Sequence, residues 1–232
     1  MKLCVIGGAG ARSAFLTKSL VKSARDIRVD HIVLLDNDQQ KLKIYGEISR
    51  ELARRLDPEL TFEVTSDARA ALTGVDYIIT TIRAGGDAGR LFDEQTCLAH
   101  GVLGQETTGA GGFAMAIRSV PTLVYYCTLA REVANPGHLI FNFTNPSGII
   151  TQALRSKGFD NVYGICDAPS GFIKQLEEIL DIPYGTLDIE CYGLNHLSWF
   201  RNAKVNGRDV QRELLDNPRT YEHSEMRLFT RE

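Results

Sequence analysis

Two stretches of the chain carry residues able to do chemistry, and the chemistry differs between them. The first is Gly7-Gly8-Ala9-Gly10 together with Asp36, twenty-six residues after Gly10. Gly7, Gly8 and Gly10 let backbone amides approach a pyrophosphate resting on the start of a helix. Asp36, closing the second strand, is sited to accept hydrogen bonds from adenine ribose hydroxyls. Its carboxylate would repel a 2′-phosphate, which favours NAD over NADP. The second stretch is Cys166-Asp167 with Asn195-His196. A thiolate and an imidazole can hold one divalent transition metal and leave positions open for substrate oxygens. A lone Cys and a lone His thirty residues apart are more often core residues. The weight of the pattern therefore comes from Asp167 directly after Cys166 and from Asn195 beside His196.

Three further segments carry candidate residues, two of them where strands should end. Thr80-Thr81-Ile82-Arg83-Ala84-Gly85-Gly86 follows an apolar run, which makes Arg83 and Arg90 candidate anion or sugar contacts. For either arginine alone, a surface ion pair is the commoner role. Gly104 to Gly112 is too glycine-rich for a helix and is expected to line a site before a long helix begins, or to be a mobile loop. In Asn142-Phe143-Thr144-Asn145-Pro146, the Asn-Pro peptide fixes a turn. It leaves Asn145 either to meet a sugar hydroxyl or the nicotinamide ribose, or to satisfy its own turn.

The elements that must position these residues follow from periodicity. Strand-like runs at 2–6, 30–36, 61–65, 75–81 and 138–143 alternate with helical patterns near 12–25, 39–56, 67–72 and 113–134. That alternation implies βαβ units, a doubly wound parallel sheet and an α/β, Rossmann-like fold. A further strand over 161–166 leads into a helix over 170–180 with Pro169 near its start. Beyond it, 187–192 and 198–205 read as paired strands, with Asn206-Gly207 as a turn. The expected organisation is a nucleotide-binding domain over 1–168 and the start of a second α+β region over 169–232. That second region ends on a polar stretch without a closing element, so it is expected to be truncated.

Composition narrows the partners. The 232 residues are 44% hydrophobic with a net charge of −3, and acids and bases are interspersed. This is a globular composition with no basic stripe for nucleic acid. The N-terminus carries no apolar run of signal-peptide or membrane-span length, so a cytoplasmic protein with no membrane partner is expected. Five cysteines without CxxC spacing argue against a disulfide framework.

Taken together, Val5-Ile6-Gly7-Gly8, Ile82-Arg83-Ala84-Gly85-Gly86, Arg90 with Asp93-Glu94, Gly104-Gln105-Glu106-Thr107, Phe143-Thr144-Asn145-Pro146, Cys166-Asp167-Ala168-Pro169 and Gly193-Leu194-Asn195-His196 resemble glycoside hydrolase family 4. The likeness runs from Met1 to about Val205. It implies a lactate/malate dehydrogenase-like fold and an NAD- and divalent-metal-dependent 6-phosphoglucosidase, the metal typically Mn2+, acting on a phosphorylated disaccharide or glucoside. The implied route oxidises C3 of the sugar with NAD, removes the C2 proton with a tyrosine base and expels the glycosidic oxygen by elimination. Cys166 and His196 match the metal ligands and Asp167 the acid that assists the leaving group. Arg90, Asn145 and Asn195 match substrate contacts, and Arg83 falls on the cofactor side. Ala9 departs from the family's third glycine. The tyrosine base lies farther along than His196, where Tyr221 is the only tyrosine of this chain. Asp167 points to α-glucosides, while the rest of the chain is at least as close to β-specific members.

Two other readings stand beside this one. One is an NAD-dependent 2-hydroxy-acid dehydrogenase, whose histidine base would pair with an aspartate. The other is a non-catalytic NAD-binding remnant acting through homo-oligomerisation, with Trp199, Phe200 and Phe229 as an exposed apolar surface.

Overall fold

A computed structural model describes residues 1–222 of the chain. They divide into two compact units, one of Met1–Ile165 and one from Cys166 onward, the division falling after Ile165 where the sequence suggested 168.

The first unit is a six-stranded parallel sheet. In chain order it contains β1 (Lys2–Ile6), α1 (Ser13–Ser23), β2 (His31–Leu35), α2 (Gln39–Lys41), a π-helical turn (Leu42–Gly46), α3 (Glu47–Leu56), β3 (Thr61–Thr65), α4 (Ala68–Leu72) and β4 (Tyr77–Thr80). It continues with α5 (Gly86–Ala99), α6 (Gly109–Val133), β5 (Leu139–Asn142), α7 (Ser147–Ser156) and β6 (Val162–Gly164). The strand order β3-β2-β1-β4-β5-β6 is that of a Rossmann fold, with its reversal point between β1 and β4. The α/β expectation is met.

Strand side chains alternate between two cores. Cys4, Ile6, Val33, Leu35, Ile78 and Ile140 face one, with Leu123, Cys127 and Ala130 of α6 and Ile150 and Leu154 of α7. Leu3, Val5, Ile32 and Leu34 face the other, with Val21 of α1 and Ala53 of α3. β1 and β2 are each buried over four of their five residues, on both faces of the sheet. By length and composition α6 could cross a membrane, yet its Leu123, Cys127 and Ala130 lie in the sheet core.

Two helices of the first unit escape the sequence reading. α5 opens on Gly86, includes Gly89 and is preceded by a left-handed Gly85, so its propensity is poor. α7 opens directly after Pro146 with β-branched Ile149, Ile150 and Thr151, and burial of Ile150 and Leu154 holds it helical.

In the second unit, α8 (Ala168–Leu180) is followed by an antiparallel sheet of β7 (Leu187–Leu194), β8 (Leu197–Val205) and β9 (Arg208–Asp209), then α9 (Gln211–Asp216) and α10 (Pro218–Glu222). Asn206 and Gly207 both adopt positive φ in the β8–β9 turn, as such a dipeptide favours. The unit's core is Leu176, Ile179, Leu187, Ala203, Val210 and Leu214. Buried Glu177 accepts from the amides of Thr186 and Leu187 at 2.9 and 3.0 Å, tying α8 to the start of β7. Phe200 stacks on Phe172, centroids 4.4 Å apart, which corrects the expectation that it lies on an exposed apolar surface. Trp199 is exposed, and Phe229 lies outside the described residues.

Candidate functional site

The carboxyl ends of β1 and β4 are neighbours at the reversal point, where open α/β sheets bind their ligands. Gly7 leaves β1 with φ +89°, and a Cβ there would come within 2.8 Å of the Thr81 carbonyl carbon and oxygen. Only glycine fits that turn against the backbone after β4. The amides of Gly7 and Gly8 both donate to the Leu35 carbonyl, at 2.8 and 3.0 Å. α1 then starts at Ser13 with no side-chain cap and no acid in its first turn, so its first amides suit an anion. Asp36 accepts from the Ala9 amide through Oδ2 and from the Asp38 amide through Oδ1, both at 3.0 Å. It therefore braces the glycine turn, a role the sequence did not disclose. Each carboxylate oxygen keeps a second lone pair for a ribose hydroxyl.

A buried polar network underlies the ends of β4 and β5. Thr80 Oγ1 donates to Asn142 Oδ1 at 2.8 Å, and Asn142 Nδ2 donates to the Thr144 carbonyl at 3.2 Å. Thr144 Oγ1 in turn accepts from the Ile82 amide at 3.1 Å. The network holds the loop carrying Arg83 and the turn carrying half-buried Asn145, whose peptide bond to Pro146 is cis. Thr80, Asn142 and Thr144 were missed as site residues because each reads as an ordinary strand-end polar residue.

Both candidate arginines are ion-paired. Arg83 Nη1 meets Glu106 Oε2 at 2.8 Å, and Arg90 meets Glu94 at 2.7 Å and Glu106 at 3.5 Å. The Glu94 carboxylate, joined by the charge of Glu106, holds the Arg90 pKa above its ordinary value. The segment 104–112 departs from expectation, since α6 begins at Gly109 and takes in Gly111 and Gly112. Gln105 makes this possible: its Oε1 accepts from the amides of Thr107 and Thr108 at 2.5 and 2.7 Å and fixes the entry to the helix.

In the second unit, Cys166 Sγ and His196 Nε2 stand 3.7 Å apart, joined across thirty residues. His196 occupies the tip of the β7–β8 hairpin with φ +60°. Metal–sulfur and metal–imidazole bonds of about 2.3 and about 2.0 Å sum to more than this separation, so both donors reach a single ion. Among the described residues no third His, Cys, Asp or Glu joins them. Asn195 Oδ1, next to His196, is buried without a hydrogen-bond partner among the described residues. Asp167 is exposed at the N-cap of α8. Its carbonyl accepts from Ser170 Oγ and the Gly171 amide, while its carboxylate makes no capping bond. Tyr221 donates its hydroxyl to the Leu215 carbonyl at 2.6 Å. Burial pushes the thiols of Cys4 and Cys127 up to about 12, which removes them from chemistry at neutral pH.

Residues 2–182 match the sequence profile of the family 4 glycosyl hydrolases. The chain is 34% identical over 218 residues to 6-phospho-beta-glucosidase BglT of Thermotoga maritima, covering 94% of this chain and 51% of that protein. It superposes with a TM-score of 0.87 and 32% identity on a 6-phospho-alpha-glucosidase from gut microorganisms in complex with NAD and Mn2+, covering 92% of this chain and 50% of that one. The T. maritima 6-phospho-beta-glucosidase with NAD and glucose-6-phosphate gives 0.87 and 32%, with 96% and 54% covered. A lactate dehydrogenase from Eimeria maxima, at 14% identity and a TM-score of 0.65, shares the fold. The chain spans about half the length of the curated relatives it matches.

Proposed function

The chain belongs to family 4 of the glycosyl hydrolases, and from that premise we propose that it carries the NAD- and metal-binding residues of a 6-phosphoglucosidase. The observation that bears most weight is the approach of Cys166 Sγ to His196 Nε2 at 3.7 Å. The two side chains make a hydrogen-bond contact here, and the same spacing lets a thiolate and an imidazole share one ion. When bound, NAD supplies a hydride acceptor and a divalent ion supplies a Lewis acid for sugar hydroxyls.

This chain's own residues have separable tasks. Gly10 at the end of the glycine turn, with the first amides of α1, takes the pyrophosphate, while the amides of Gly7, Gly8 and Ala9 are held by Leu35 and Asp36; Asp36 takes the adenine ribose while bracing that turn. Arg83 serves the cofactor side. Arg90, Asn145 and Asn195 bind and orient the phosphorylated sugar, with Glu106 keeping both arginines extended until a ligand anion competes for them. Cys166 and His196 hold the ion. Asp167, with a carboxylate not spent on capping α8, gives its proton to the departing glycosidic oxygen. Tyr221 is engaged with the Leu215 carbonyl and is not assigned the base.

A hydroxy-acid dehydrogenase needs a histidine whose imidazolium is supported by a carboxylate. His196 instead faces a thiol, and no Asp or Glu completes a cluster there among the described residues. That contrast supports the first reading. Mn2+ titration followed by electron paramagnetic resonance tests the proposal: wild type should bind the ion, and Cys166→Ser should bind it far more weakly. Turnover of pyruvate or oxaloacetate in the presence of a chelator would reverse the choice.

A further inference from the structure

Arg83 sits between two tethers. On one side the Ile82 amide donates to Thr144 Oγ1. On the other the Ala84 carbonyl accepts from Arg118 Nε at 3.2 Å, and Arg118 lies on α6. The same guanidinium turns both terminal nitrogens onto the carboxylate of Asp93, which is 7% exposed on α5, three residues after Arg90. A planar fork with fixed donor directions thus grips the backbone beside one candidate ligand-binding arginine and the helix that carries the other.

The glycines of this segment fit the same device. Gly85 has φ +86°, and a Cβ there would stand 3.0 Å from Arg118 Nε; one on Gly89 would stand 3.5 Å from its Cζ. The loop and the first turn of α5 are pared to backbone where the guanidinium lies over them. Because Nε bonds the Ala84 carbonyl while the two terminal nitrogens hold Asp93, one side chain ties the loop after β4 to α5.

We propose that Arg118 is a positioning residue, the tether that sets the loop 82–86 and the start of α5 so that Arg83 and Arg90 face ligand. It touches no ligand itself. This inference rests on the functional reading of Arg83 and Arg90 given above.

The decisive variant is Arg118→Lys, which keeps a cation beside Asp93 but cannot make the fork and the Ala84 bond together. The expected result is a folded protein whose NAD dissociation constant rises about tenfold, as loss of one oriented charge-assisted contact predicts. Amide exchange should quicken in a peptide spanning 82–90 and stay unchanged in β1 and β5. Wild-type exchange and wild-type NAD affinity in folded Arg118→Lys would overturn the proposal. Asp93→Asn is the second variant. It keeps the shape of the site and weakens the fork, so exchange at 82–90 should again rise. If neither variant folds, the pair is a core ion pair and the tether is rejected. Failure of wild type to bind NAD would instead sink the nucleotide reading, leaving the exchange rates to judge the tether alone.

Discussion

The two halves of the chemistry are built in opposite ways. In the first unit the ligand edge is held from beneath by the buried hydrogen bonds of Thr80, Asn142 and Thr144, by Asp36 on the Ala9 amide, and by strands covered on both faces. In the second unit Cys166, just before α8, meets His196 of a hairpin tip. The neighbouring ladder pairs Leu194–Leu197 and Tyr192–Trp199 have exposed side chains, and the core is six buried residues. A preorganised interior holds its geometry without ligand, whereas a pair of donors with one on an exposed ribbon gains most of its order from the ion they share. The nucleotide edge should therefore tolerate loss of the metal, and the metal pair should respond strongly to it.

The sharpest test of that asymmetry is Cys166→Ser. Mn2+ affinity should fall by at least ~100-fold, since even outer-shell changes cost up to that much, while NAD titration stays as in wild type. Equal loss of both ligands would erase the distinction between the units. Next in size is Gly7→Ala, which forces a Cβ into a left-handed turn and onto the Thr81 carbonyl. Strain of about 2 kcal/mol or more should appear as a lowered melting temperature with weakened NAD binding, and Mn2+ binding should survive at temperatures where the variant remains folded.

Asp36→Asn should be milder. It retains one acceptor for the brace but removes the charge, so NAD should bind about tenfold more weakly and discrimination against NADP should narrow. A calorimetric comparison of the two nucleotides measures both effects. The smallest effect is expected in acid. The Asp76 carboxyl is held below its ordinary range, first by the Asn135 side-chain amide and then by the Lys2 amide. Its contribution is complete above the unfolded value near ~3.9 and is lost as pH falls through the lower folded value. Amide exchange at Lys2 should therefore quicken only below that unfolded value, while chelation at neutral pH should loosen the 187–205 hairpin and leave Lys2 protected.

Much of the architecture was legible because burial writes itself into the sequence. β1 and β2 are nearly unbroken apolar runs since both faces are covered, and the glycine turn that the sequence singled out lies at the reversal point of the sheet. α5 and α7 were not legible. Glycine and β-branched residues lower their local preference, and it is packing against the sheet and the neighbouring helices that makes them helical. Phe200 misled for a similar reason: an aromatic residue in a ribbon that is half exposed does not declare which face it occupies until Phe172 is found beneath it.

At the site, residue type and strand-end position identified Cys166, His196, Asp36 and the two arginines as candidates. No spacing rule could reveal that Asp36 braces the turn it was expected to serve, that Glu106 answers both arginines, or that Arg118 reaches Ala84. Local sequence determines which elements form and which chemical groups stand at their ends, because periodicity and turn preference act over a few residues. Tertiary structure alone decided which of those groups meet, because a hydrogen bond between residues 84 and 118 or a thiol–imidazole contact between 166 and 196 depends on chain paths that only the packed core fixes.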